Sequence, residues 1–166
     1  MAEATSTLDQ IRTLSTMTGL EVSPLAWRLL ALLETRRGEF AKFDTRIDKY
    51  QHSLQCATRA RKAGEPADYV VMCLFHDVFG GFEPLMHGNM AGVTLRPFIS
   101  KRALMACYEH PFAVRDHLAG VQPTDIQRES AGYEFAVTYD IPSFDPNEWI
   151  DALPTFLPEI AKVIKA

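Results

Sequence analysis

The chain is poor in cysteine. Cys56, Cys73 and Cys107 are its three, and no two form a Cys-x-x-Cys pair. That excludes a disulfide scaffold and a cysteine-cluster zinc fold, and points to small buried thiols in a reducing cytoplasm. No apolar stretch approaches the ~20 residues that span a bilayer, and the polar, acidic opening Met-Ala-Glu-Ala-Thr-Ser does not resemble a secretory leader. Basic runs are missing too. With 17 Lys and Arg against 21 Asp and Glu, net charge −4, there is no electrostatic footprint for nucleic acid. Internal repeats, linkers and low-complexity tracts are absent. What remains is one compact domain over residues 1–166, long enough to bury a core, with frayed residues 1–6 and no membrane or nucleic-acid partner. Oligomeric state stays open.

What is present punctuates a helical chain. Ser23-Pro24 has the form of a cap followed by proline at the first helical position, and Leu25 to Arg36 continues it. Apolar positions at Ile47, Tyr50, Leu54 and Ala57 predict a helix from Ile47 to Ala63, ended by Gly64. Pro66 opens a helix that runs into His76-Asp77, and Gly80-Gly81 breaks it with a sharp turn. A loop over 82–87 leads to a helix from His87 to Leu95, and another covers Lys101 to Glu109. Pro111 is expected to kink or restart the chain. Pro123 opens a long helix to about Tyr139, and Asp145-Pro146-Asn147-Glu148 has the form of a further cap. The fold class is all-α.

The most informative pair is His76-Asp77, at the end of the apolar run 70–79. An imidazole and a carboxylate are costly to bury unless something ionic receives them, and a divalent metal ion is a natural recipient. A core histidine bonded to a carbonyl, with Asp77 as a cap, is the simpler alternative. Further His and Asp residues lie on both sides: His52, His87, His110 and Asp140. Each has a plain reading by itself. His52 has hydrophilic neighbours, His87 precedes Gly88 at a helix start, His110 follows Glu109, and Asp140 precedes Ile-Pro at a turn. Together they form an ordered set.

That order, with the segments 47–55, Phe-His-Asp-Val (75–78), Leu-Arg-Pro-Phe-Ile-Ser (95–100) and Tyr-Asp-Ile-Pro-Ser-Phe-Asp-Pro (139–146), resembles the HD-domain superfamily of metal-dependent phosphohydrolases. Within it, the chain is most similar to the subgroup of mixed-valent di-iron oxygenases that act on inositol or organophosphonates. The resemblance covers about residues 47–158 and implies a helical bundle around a dinuclear metal site. It puts His52, His76, Asp77 and Asp140 on one ion. Asp77 bridges to a second ion completed by His87 and His110, and His76 and Asp77 stand at the catalytic centre. The implied cofactor is two iron ions in a mixed-valent Fe2+/Fe3+ pair, with Mn2+, Co2+ or Zn2+ as alternatives. The set contains no thiolate, which argues against a structural zinc site.

The implied activity is O2-dependent oxidation of a small polar, hydroxylated or anionic substrate by C–H abstraction, extending to C–C or C–P cleavage. The alternative is a dimetal phosphohydrolase acting on a small phosphoester or nucleotide. A third possibility is a metal-dependent binding protein or partner subunit. Gly80-Gly81, Val114 and Glu109 stand where these oxygenases carry lysines or a paired histidine, so a different small polar substrate is implied. An anionic substrate needs donors beyond the ions. Tyr50, Arg96, Lys101 and Arg115 are candidates for that shell, with Arg102 beside them. Asp145 is read as a cap, and His117 as a surface residue.

Overall fold

Helices begin where a side chain can take up the unpaired N–H groups of a first turn. In the computed structural model, which describes residues 6–42, 44–81 and 85–165, Ser6 caps α1 (Thr7–Thr18) and Ser23 caps α2 (Pro24–Glu34). Asp48 and Gln51 form a reciprocal capping box on α3 (Lys49–Lys62). Pro66 precedes α4 (Ala67–Phe75), Met86 precedes α5 (His87–Leu95), and Ser100 caps α6 (Lys101–Leu118). Thr124 caps α7 (Asp125–Arg128) and Ser130 caps α8 (Ala131–Phe135), which passes directly into a π-helical turn, Ala136–Asp140. A 3-10 turn, Leu153–Phe156, leads into α9 (Leu157–Val163). Among the described residues there is no strand, only an isolated antiparallel bridge between Phe40 and Asp48. The all-α expectation holds.

α4 lies at the centre. Tyr69 to Phe75 are all buried, so this helix is apolar all round and packed on every side. α3, α6 and α9 surround it, with α5 and α8 laid on α6. The three cysteines are free and buried. No helix among the described residues is long and apolar enough to cross a membrane.

The structure departs from sequence expectation at four places. The long helix expected from Pro123 to Tyr139 is divided into α7, α8 and the π-turn, because Thr124 and Ser130 each cap a new start. Pro111 does not end its helix, and α6 runs through it to Leu118. A proline in mid-helix orphans the carbonyl four residues back. Here that carbonyl, on Cys107, faces His110 Nδ1 at 2.8 Å. Asp145 begins a turn instead of a helix, its Oδ1 accepting from the Asn147 N–H at 2.9 Å. Gly80 and Gly81 lie in the turn that follows α4, as expected, but reach it without left-handed backbone. They are needed for space: a Cβ on Gly81 would fall 2.1 Å from Arg36 Nη1. Neither α1 nor α9 is marked in the sequence as clearly as the others. Residues 82–84 of the expected loop, and 1–5 of the expected fray, lie outside the described residues.

Candidate metal centre

Four helices and the π-turn bring the centre together. His52 comes from the second turn of α3, His76 and Asp77 from the end of α4, His87 from the first position of α5, and His110 from the middle of α6. Asp140 is the last residue of the π-turn. Such turns insert one extra residue into a helix and are frequent at functional sites. The side chains of His52 and His76 are completely buried, whereas Asp77 is 18% and His87 11% exposed. The centre therefore opens on the Asp77–His87 side.

The donor atoms fall into two groups that meet at Asp77. In the first, His52 Nε2 lies 3.3 Å from His76 Nε2 and 3.1 Å from Asp140 Oδ1. In the second, His87 Nε2 lies 3.0 Å from His110 Nε2 and 2.8 Å from Asp77 Oδ1, which is also 3.5 Å from His110 Nε2. The other Asp77 oxygen, Oδ2, is 3.9 Å from His52 Nε2, so its two oxygens face both groups. All six residues implied as ligands by the resemblance converge here.

Ring orientation is set by the main chain. His52 Nδ1 is 2.8 Å from the Ser143 carbonyl, His76 Nδ1 2.8 Å from that of Cys73, and His110 Nδ1 2.8 Å from that of Cys107. A carbonyl only accepts, so each Nδ1 carries the hydrogen and each neutral ring turns a lone pair on Nε2 toward the centre. This tautomer is assigned from the partner atom. Two lone pairs facing each other at the 3.3 Å of His52 and His76 repel unless a cation, a proton or a metal ion, lies between them. An ion about 2.1 Å from each nitrogen separates them by about 3.0–3.4 Å, depending on the coordination angle. The donor set and its spacing fit metal ions, and two groups within it have all their donor atoms within 4.8 Å of one another: His52, Cys56, His76 and Asp140, and His76, Asp77 and His110.

The electrostatics agree with that geometry. Burial pushes His76 down to about 4, against the pull of Asp77 and Asp140. Burial also works against charge on His52, but Cys56 and Asp140 prevail and hold its proton well above the ordinary range. Burial alone would raise Asp77, yet His76, His87 and His110 around it keep its carboxyl well below the usual carboxylate range. Asp140 is lowered likewise, with His52 as its main partner. Asp77 and Asp140 are thus held as carboxylates and His76 as a neutral ring, while the proton favoured on His52 is the one an entering cation would displace. Phe144 stacks on the His52 ring at 4.1 Å, and Phe135 meets the His76 and His110 rings edge-on at 5.1 and 5.5 Å. Aromatic walls keep water from the inner faces.

The expected substrate shell is dispersed. Tyr50 is buried on the far side of α3, its ring under the Arg37 guanidinium at 3.5 Å. Arg96 and Lys101 are exposed at the end of α5 and the start of α6. Arg115 is exposed as well and pairs with Asp116 at 2.6 Å. Arg102 clamps Glu65 and Glu134 at 2.7 and 2.8 Å. None of the five is drawn to the centre. Lys49, which stands beside the favoured candidate Tyr50 just before His52, comes closer. A Cβ on Gly80 would be 3.3 Å from Lys49 Nζ and 3.1 Å from the Asp77 carbonyl oxygen. Lys49 is tethered by Glu39 at 2.7 Å. Cys56 was missed, although the spacing His52-x-x-x-Cys56 places both on one helix face. His117 is exposed, as expected. Comparison of the chain with protein-family models and with curated proteins finds no match.

Proposed function

We propose that this protein is a dinuclear metal enzyme of the HD-domain type, and that it is a di-iron oxygenase acting on a small polar, anionic or hydroxylated substrate. The observation that carries the reading is Asp77, whose two oxygens face two separate histidine groups at 2.8 and 3.9 Å. One carboxylate so placed can serve two ions at once. When bound, a mixed-valent iron pair would supply O2 activation and electron acceptance from a substrate C–H bond.

The chain's own residues do the rest. His52, His76, Asp140 and Asp77 would hold one ion, and His87, His110 and Asp77 the other. The carbonyls of Cys73, Cys107 and Ser143 fix the rings, as outer partners of metal-bound histidines commonly do. Phe135 and Phe144 exclude water from the inner side, so substrate enters past Asp77 and His87. Lys49, packed on the same turn, offers that substrate a cation, with Glu39 holding the ammonium in place. Lys49→Met is expected to raise KM several-fold for an anionic substrate while metal content is unchanged; steady-state kinetics beside metal analysis checks this.

A second reading, a phosphohydrolase with redox-silent ions, draws support from the Cys56 sulfur 3.8 Å from His52 Nε2, since a soft donor suits zinc. The deciding experiment is expression with iron and purification without oxygen, followed by metal analysis and low-temperature EPR after partial oxidation. Two irons per chain with a coupled mixed-valent signal, and substrate-dependent oxygen uptake, are expected. Zinc, manganese or cobalt with phosphoester hydrolysis and no such signal would replace the oxygenase by the hydrolase.

A further inference from the structure

Cys56 sits one helical turn beyond His52 on α3 and is fully buried. Its thiol donates to the carbonyl of Tyr139, the neighbour of Asp140, at 3.4 Å. Among the described residues, Cys56 is the one cysteine in the groups whose donor atoms all lie within 4.8 Å of one another. Cys107, by contrast, turns its sulfur to the carbonyl of Gly88.

The spacing of this group has a definite shape. A tetrahedral ion about 2.1 Å from nitrogen or oxygen and about 2.3 Å from sulfur holds N–N and N–O pairs about 3.4 Å apart, and N–S pairs about 3.6 Å apart. From His52 Nε2 the distances are 3.3 Å to His76, 3.1 Å to Asp140 and 3.8 Å to Cys56, and His76 lies 3.9 Å from Asp140. Each is within about half an ångström of the tetrahedral edge. Asp77 fits this group less closely: Oδ2 is 3.9 Å from His52, whereas Oδ1 is 2.8 Å from His87.

We infer that Cys56 is a further ligand of the first ion, adding a thiolate to the two imidazoles and the carboxylate of His52, His76 and Asp140 while Asp77 remains the bridge to the second ion. The inference rests on reading the cluster as a metal centre, but not on which reaction it supports. On entry of a divalent ion the thiol proton leaves to solvent, the S–H···O bond to Tyr139 ends, and a sulfur–metal bond takes its place with no change of oxidation state. The two positions are then unlike. The first has a soft donor and favours zinc or cobalt over manganese, while the second has only nitrogen and oxygen donors.

The test is to load the metal-free full-length chain with Co2+ and record its absorption spectrum beside Cys56→Ser, Cys56→Ala and Cys107→Ala. The wild type and Cys107→Ala should show a near-ultraviolet thiolate-to-cobalt charge-transfer band, and both Cys56 variants should lose it. Cobalt-edge X-ray absorption of the wild type should show a sulfur scatterer, and it serves even if a Cys56 variant fails to fold. Cobalt bound with visible d–d bands, but with no charge-transfer band and no sulfur scatterer, would overturn the role of Cys56 and leave the metal centre standing. Failure of the wild type to bind cobalt at all would overturn both.

Discussion

Asp77 is the residue on which the two halves of the centre depend. His110 sits nearest the second half, its Nε2 3.0 Å from His87 and 3.5 Å from Asp77, with His76 of the first half within 4.8 Å. Asp77→Asn is therefore expected to lower metal content at both positions, whereas His110→Ala should remove about one ion and leave the other; metal analysis of the purified variants separates these outcomes. His76 and Asp77 were legible in the sequence because an ionisable pair closing an apolar run has few explanations. His52 was legible only as part of an ordered set. Nothing local shows that α3, polar as its sequence is, turns inward. It does so because its polar groups find buried partners: Gln55 exchanges hydrogen bonds with the backbone of Asp145 at 2.7 and 3.1 Å, and the Thr58 hydroxyl accepts from the Asp151 N–H at 3.0 Å. Such pairings join residues some ninety positions apart, beyond the reach of any pattern along the chain.

Between helices, the contact that matters most is α5 on α6. It brings His87 to His110, and it depends on glycine. A Cβ at Gly88 would fall 2.3 Å from the Cys107 carbonyl oxygen, and one at Gly92 2.2 Å from the Tyr108 ring. Gly88→Ala must push the helices apart, at a cost of about 1–3 kcal/mol, and thermal unfolding together with loss of the second ion should report it. A second inter-element tie is the Arg102 clamp. Its guanidinium bonds both Glu65 oxygens at 2.7 and 3.0 Å, reaches Glu134 at 2.8 Å and covers the Tyr69 ring at 4.2 Å. The Tyr139 hydroxyl donates to the same Glu65 at 2.7 Å, so the clamp also steadies the π-turn that presents Asp140. Arg102 holds the Glu65 carboxyl below its ordinary value of 4.5. A lowered carboxyl stabilises the fold in full above that ordinary value, and the benefit disappears as pH falls through the lowered one. Arg102→Met should therefore cost about 1 kcal/mol at neutral pH. The gap from wild type should narrow in acid, as denaturant titrations at several pH values would show. The clamp and the π-turn were invisible in the sequence for one reason: Arg102 looks like any surface cation, and the extra residue in the turn changes no composition. Capping residues were the reverse. Ser23 and Gly64 marked boundaries correctly because a cap acts within four residues of itself, whereas Pro111 misled because its orphaned carbonyl found a side-chain partner.

At the scale of the whole molecule, the centre ties α3, α4, α5, α6 and the π-turn to one another, so anything bound there braces the bundle. An ion held at a thousand times its dissociation constant adds about 4 kcal/mol to stability. Chelation is accordingly expected to lower Tm by several degrees and to leave the chain helical, as calorimetry with circular dichroism before and after metal removal would show. The general architecture, helices around a buried His/Asp cluster, could be read from the order of residues. The entrance could not, because which side of a cluster stays open is decided by how neighbouring helices cover it. The carbonyls of Cys73, Cys107 and Ser143 orient three of the four rings. A carbonyl belongs to whatever residue stands there. As far as ring orientation goes, those three positions are free to change over evolutionary time, and the centre can outlast wide drift in the letters around it while the path of the main chain endures.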